Sequence, residues 1–164
     1  NILRPRKFSS DTATSKDVIK HFLKHAKSRN YLNNYIVYLQ PSSLMFSSKH
    51  IDNAIKLIKK KKSENLISCY PNDSETIFKS LKLNSNGTIK PIFNKNFVHT
   101  NRQTFKNIYL PNGCIFIFKI VKNFLRDYIN YSNCIPYLMK QNDGIDINDK
   151  KDLLKAKKII NKAT

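Results

Sequence analysis

Tyr35-Ile36-Val37-Tyr38-Leu39, closed by Gln40-Pro41-Ser42-Ser43, is the stretch on which the reading of the whole chain turns. So nearly continuous an apolar run is expected of a strand covered on both faces, as in a parallel sheet between layers of helix. The Pro and the two serines that follow mark its end as a turn. On the N-terminal side, Thr14-Ser15-Lys16-Asp17 is a capping box, with Thr14 at the N-cap and Asp17 at N3. Val18, Ile19, Phe22, Leu23 and Ala26 then recur on one face, which predicts an amphipathic helix over 15–29. On the C-terminal side, Ser48 can cap a second helix whose Ile51, Ala54, Ile55 and Ile58 share a face. Leu66 to Tyr70 is another apolar strand, broken by Pro71-Asn72-Asp73. This alternation predicts βαβ crossovers and an α/β fold with a Rossmann-like, mostly parallel sheet.

The middle of the chain departs from the alternation. Ile77 to Leu83, a turn at Asn84-Ser85-Asn86-Gly87, and Thr88 to Phe93 read as a β-hairpin. Residues 94 to 109 are polar, with isolated aromatics and no clear period. A buried strand resumes at Cys114 to Phe118, directly after a turn at Pro111-Asn112-Gly113. A short helix over about 120–130, a strand from Pro136 to Met139 and a final helix capped by Asp149-Lys150-Lys151-Asp152 complete the pass. Without an internal repeat or a Gly/Ser linker, residues 1–164 are expected to form a single α/β domain.

Composition narrows the function classes. The chain is 40% hydrophobic and carries 8 Tyr and 10 Phe, which argues against disorder. No apolar run approaches the ~20 residues of a membrane span, and the charged, turn-like start does not read as a signal peptide. The cysteines Cys69, Cys114 and Cys134 have no metal-ligand spacing, and their odd number excludes a fully paired framework, so a reducing cytoplasm is the expected setting. A net charge of +19 invites a nucleic-acid reading. The bases are scattered, however, and the dense block Lys59 to Lys62 sits where a helix C-terminus favours cations. The sequence therefore argues against nucleic acid as the main partner.

Chemistry concentrates in Gly144-Ile145-Asp146-Ile147-Asn148-Asp149. An acid closing a short apolar strand lies where open α/β sheets hold ligands. A carboxylate there can hold Mg²⁺ against phosphate oxygens. Equally, Asp146 can be a loop acid, with Asn148 or Asp149 capping the next helix.

Taken in order, four segments resemble a known family. They are Leu3-Arg4-Pro5 with Ser9 to Ser15, then Tyr38-Leu39-Gln40-Pro41-Ser42-Ser43, then Arg102-Gln103 with Pro111-Asn112-Gly113-Cys114-Ile115-Phe116, and Pro136 to Met139 followed by Gly144 to Asn148. The set is similar to the acylneuraminate cytidylyltransferases (CMP-sialic acid synthetases), whose pattern runs RP…SDTASS, LLQPTSPLR, RQ…RPNGAIY and SIDIDTELDL. The resemblance implies transfer of CMP from CTP to a 2-keto sugar acid of sialic or legionaminic type, with release of pyrophosphate, in a homodimer that uses Mg²⁺. It assigns Arg4, Ser10, Asp11, Thr14 and Ser15 to the nucleotide, although Thr14 and Asp17 equally well just start a helix. Gln40, Lys79, Arg102, Gln103 and Asn112 fall to the sugar acid, with Arg102 as the carboxylate fork. Gln40 reads as well as a turn residue, and Lys79 as a solvated surface charge. Asp146 and Asn148 fall to the metal, and Asp146 and Arg102 to catalysis. Residues 72–110 match the family's dimerisation insert, whose Phe93, Phe97 and Phe105 suit either an interface or a small satellite core.

Several positions depart from the pattern. Asn148 stands in place of the second metal Asp, Phe46 in place of an Arg, Leu110 in place of the Arg before Pro-Asn-Gly, and Phe116 in place of a Tyr. The family's ARGGSKG…KN nucleotide loop has no counterpart among Gly87, Gly113 and Gly144. The expectation is a partial domain that lacks the N-terminal βαβ unit, with impaired transferase activity. A non-catalytic relic that keeps nucleotide or sugar-acid binding is the alternative.

Overall fold

A computed structural model describes residues 3–10, 12–28, 34–120 and 129–163. The first helix, α1 (Ser15–Ser28), leads into strand β1 (Tyr35–Leu39). Helix α2 (Ser48–Lys61) then precedes β2 (Asn65–Asn72) and a short helix, α3 (Ser74–Phe78). A hairpin of β3 (Leu81–Leu83) and β4 (Ile89–Pro91) follows, then the long strand β5 (Ile108–Lys119), β6 (Cys134–Leu138) and the C-terminal helix α4 (Lys150–Ala163). The helix expected over about 120–130 falls largely on residues 121–128, outside the described residues.

The fold is mixed α/β, but the expectation of a mostly parallel sheet needs correction. The four-stranded sheet has the order β1-β5-β2-β6. Strand β5 pairs antiparallel with both β1 and β2, and only β2 and β6 pair in parallel. Two antiparallel steps restore direction, so β1, β2 and β6 all point one way and β5 alone runs against them. The apolar run of β1 packs against a core on each face, but as an edge strand its residues are only half-buried. It could not report direction, because the neighbour that sets direction arrives some eighty residues later.

Each face of the sheet carries its own core. Ala54 and Ile58 of α2 pack on Leu66, Cys114, Ile115 and Ile117, flanked by Tyr35 and Val37. On the other face, Ile19, Leu23 and Ala26 of α1 pack on Phe118 and Ile120, flanked by Ile36, Tyr38 and Phe116. Alternate residues of β1 thus serve opposite cores, as the pleat requires.

The helix ends follow the sequence closely. Thr14 and Asp17 form the reciprocal cap of α1, with the Asp17 N–H on Thr14 Oγ1 at 3.2 Å and the Thr14 N–H on Asp17 Oδ2 at 3.3 Å. For α2 the N-cap is Ser47 rather than Ser48, and His50 Nδ1 accepts the Ser47 N–H at 3.0 Å, the part a Glu or Gln usually plays. The hairpin forms as expected, but over shorter strands, because Asp73 caps α3 through the Glu75 N–H and draws residues 74–78 into a helix.

Candidate functional site

Pro111-Asn112-Gly113 is not a turn before a strand, as expected, but lies inside β5. The β2–β5 register jumps from Ile67↔Phe116 to Cys69↔Pro111, so residues 112–115 bulge opposite the single residue Ser68. A buried polar pair holds that bulge. The Ser68 hydroxyl donates to Asn112 Oδ1 at 2.5 Å and accepts the Ile115 N–H at 2.8 Å, while the Cys114 N–H donates to Asn112 Oδ1 at 3.2 Å. Backbone groups that lose their ladder partners in the bulge are thereby satisfied by side chains. Ser68 is the residue here that sequence reasoning missed. A lone hydroxyl in the middle of an apolar strand was the available signal.

The bulge brings expected site residues together. Gly113 has φ +75°, and a Cβ built there would stand 2.6 Å from Gln40 Oε1 and 3.9 Å from Asp146 Oδ2. Gly144 approaches the Asn112 side chain so closely that a Cβ would lie 2.9 Å from its Cγ. Gln40 follows the last residue of β1, and Asn112 and Gly113 sit in the bulge; Asp146, expected to close a short strand, instead follows the 3-10 turn Gln141–Gly144 and is joined to Ser43 by an isolated antiparallel bridge. The Ile147 N–H donates to the Ser42 carbonyl at 3.0 Å, locking the two loops together. The result is a cleft of about 460 Å³ at the carboxyl ends of β2 and β6, lined by Tyr70, Asn112, Gly113, Asp146, Asp152 and Lys155 among others.

Within it, Asp146 presents two different oxygens. Oδ2 accepts from Asn148 Nδ2 at 3.3 Å, whereas Oδ1 is buried without a hydrogen-bond partner. The Ser43 hydroxyl, on a residue only 3% exposed, is likewise buried. Cys114 lies beside both. Burial pushes its thiol pKa up, a hydrogen bond with the Ser43 hydroxyl pulls the other way, and the Asp146 charge raises it. A thiol is too weak a partner to satisfy either oxygen.

The remaining assignments fare differently. Asn112 is 6% exposed; its Oδ1 is committed to the bulge and its Nδ2 faces Met139 Sδ at 3.5 Å, so its first role is structural. Asp149 caps α4, accepting the Lys151 and Asp152 N–H groups, and Asp152 Oδ2 accepts the Asn148 N–H at 3.1 Å. The helix-capping reading of this segment therefore holds alongside the placement of Asp146 in the cleft. Arg102 and Lys79 do not line the cleft. They gather on the insert around an acidic pair, with Lys79 2.8 Å from Glu75 and the Arg102 guanidinium 3.7 Å from Glu75 and 3.8 Å from Asp73. Gln103 is exposed beside Arg102.

Arg4, Ser10, Thr14 and Ser15 also lie away from the cleft, and Asp11 is outside the described residues. The Arg4 Nε–H donates to Ser9, Ser10 contacts Thr12, and the Thr14 hydroxyl donates to Asp17 at 2.6 Å. The Tyr38 hydroxyl donates to Ser15 Oγ at 3.1 Å. The chain's own Asp17 carboxylate thus sits on the N-terminus of α1, where an anion would be received.

As a magnesium site, the donor set is sparse but serviceable. Among the described residues no group of three or more His, Cys, Asp or Glu is placed to hold a metal ion. Mg²⁺ delivered with substrate phosphates needs only one or two carboxylates, keeping water elsewhere in its shell. Asp146 Oδ2, which shares the space in front of Gly113 with Gln40 Oε1, fits that arrangement.

No protein-family model matches the chain.

Proposed function

We propose that this chain carries the sugar-acid and metal half of a cytidylyltransferase site. It would activate a 2-keto sugar acid of sialic or legionaminic type with CTP, giving a CMP-sugar and pyrophosphate. The observation that carries the reading is the convergence of Gln40 Oε1, Gly113 and Asp146 Oδ2 at one sheet edge. In this reading Mg²⁺ held by Asp146, with Asn148 beside it, offsets charge on the phosphates. Gln40 orients the sugar, and Lys155 offers a cation to the anionic substrate at the mouth of the cleft. A reducing cytoplasm is the setting, in keeping with the free thiols of Cys69, Cys114 and Cys134.

Lys79 and Arg102 lie on the 72–110 insert and do not line the chain's own cleft, which suits service in the cleft of a second copy. Leu81, Leu83, Ile89, Ile92 and Phe93 are exposed on the same insert and offer an apolar surface for pairing. Phe97 and Phe105 are spent otherwise: with Phe78 they form a satellite core at ring separations of 5.3 to 5.8 Å. Light scattering is expected to give a homodimer. L83E together with I89E is expected to give a monomer, and an unchanged mass would remove the insert from the interface.

A second reading, a non-catalytic relic that keeps binding, is favoured by the neutral Asn148 hydrogen-bonded to Asp146 where a second carboxylate would bind metal. Calorimetric titration with CTP, CMP and sialic acid, with and without Mg²⁺, separates the two. Binding with Mg²⁺-dependent turnover supports the first, and binding alone supports the second. N148D is expected to tighten Mg²⁺ binding about tenfold by restoring an anionic ligand. No binding of any nucleotide or sugar acid would defeat both readings.

A further inference from the structure

Asp146 has a hidden partner. It stands directly opposite Ser43 in an antiparallel bridge, and side chains so placed share one face with Cβ atoms about 5 Å apart. Asp146 Oδ1 is buried without a hydrogen-bond partner, and the buried Ser43 Oγ has only the weakly bonding Cys114 thiol beside it. Each would satisfy the other, since a serine hydroxyl donates and a carboxylate oxygen accepts. The backbone bond from Ile147 to Ser42 holds the two loops side by side. Catalytic hydrogen bonds are often long in a free protein and tighten only on loading. Oδ2 faces the other way, toward Asn148 and the space in front of Gly113.

We propose that Ser43 is a positioning residue for Asp146: its hydroxyl donates to Oδ1 when the carboxylate takes up a divalent cation, holding Oδ2 toward the cleft. This rests on Asp146 being the metal carboxylate in the function proposed above. Ligating carboxylates are held by outer hydrogen bonds, whose loss costs about 10- to 100-fold in metal affinity. Asn148 cannot supply that support, since it approaches Oδ2.

The test is Mn²⁺ titration of the full chain in the presence of pyrophosphate, followed by electron paramagnetic resonance, in wild type, D146N, S43A and S43T. Circular dichroism establishes that each variant is folded. Wild type is expected to bind Mn²⁺ and D146N to lose it. S43A should weaken binding about tenfold, and S43T, which keeps the hydroxyl, should restore it to within a few-fold of wild type. If S43A binds as wild type does while D146N does not, the role of Ser43 is refuted and the metal reading stands. Equal loss in folded S43A and S43T also refutes it, because the hydroxyl would then be irrelevant. If wild type and D146N are indistinguishable, the metal reading fails and takes the inference with it.

Discussion

Gly113 is where conformation and chemistry meet most tightly. Its φ of +75° lies in the left-handed region, and a methyl group there would press on the Gln40 amide. G113A is expected to cost about 1–3 kcal/mol from backbone strain and to displace the Gln40 amide from its place beside Gly113. Urea denaturation measures the first effect and sugar-acid affinity the second. An unchanged denaturation midpoint would mean that the bulge relaxes without Gly113. The neighbouring Ser68–Asn112 pair shows why Asn112 was only half legible. Pro-Asn-Gly announces special backbone geometry, but whether the amide faces a substrate or serves the bulge depends on a hydroxyl on a different strand. The same limit applies to Ser43, whose significance appears only through the bridge to Asp146.

Helix α1 was the most legible element, since its cap, its apolar stripe and its end are all local properties. T14A is expected to destabilise the protein by about 1 kcal/mol, because Thr14 satisfies the orphan N–H of Asp17 and orients its carboxylate. The Thr14 hydroxyl, then the Thr14 backbone N–H, hold the Asp17 carboxyl below the usual carboxylate range. A carboxyl whose pKa is depressed by folding stabilises the fold above its unfolded value and loses that contribution as pH falls through the folded value. The cap should therefore weaken below about pH 4, and T14A should flatten that acid limb of a thermal-melting profile. An acid limb identical in wild type and T14A would count against this cap as its source. The hairpin was legible too, through Asn84 to Gly87. The preceding helix was not, because Asp73 caps it within a stretch that otherwise alternates like a strand.

Strand β5 organises the molecule as a whole. It lies between β1 and β2 and supplies Ile115 and Ile117 to one core and Phe118 to the other. I117A, at a fully buried position, is expected to cost about 2–5 kcal/mol. L138A, on the half-exposed edge strand β6, should stay within about 0.5 kcal/mol. Chemical denaturation compares them, and equal losses would contradict the central place of β5. The sequence alone determined the helices α1, α2 and α4, the apolar centres of the main strands, and which of their faces are apolar. These follow from periodicity and capping, which act over a few residues. Strand direction, the bulge at Asn112, the pairing of Ser43 with Asp146 and the separation of Arg102 from the cleft were decided by tertiary structure. Each depends on which distant segment lies alongside, and a local pattern of burial is the same whichever neighbour provides it.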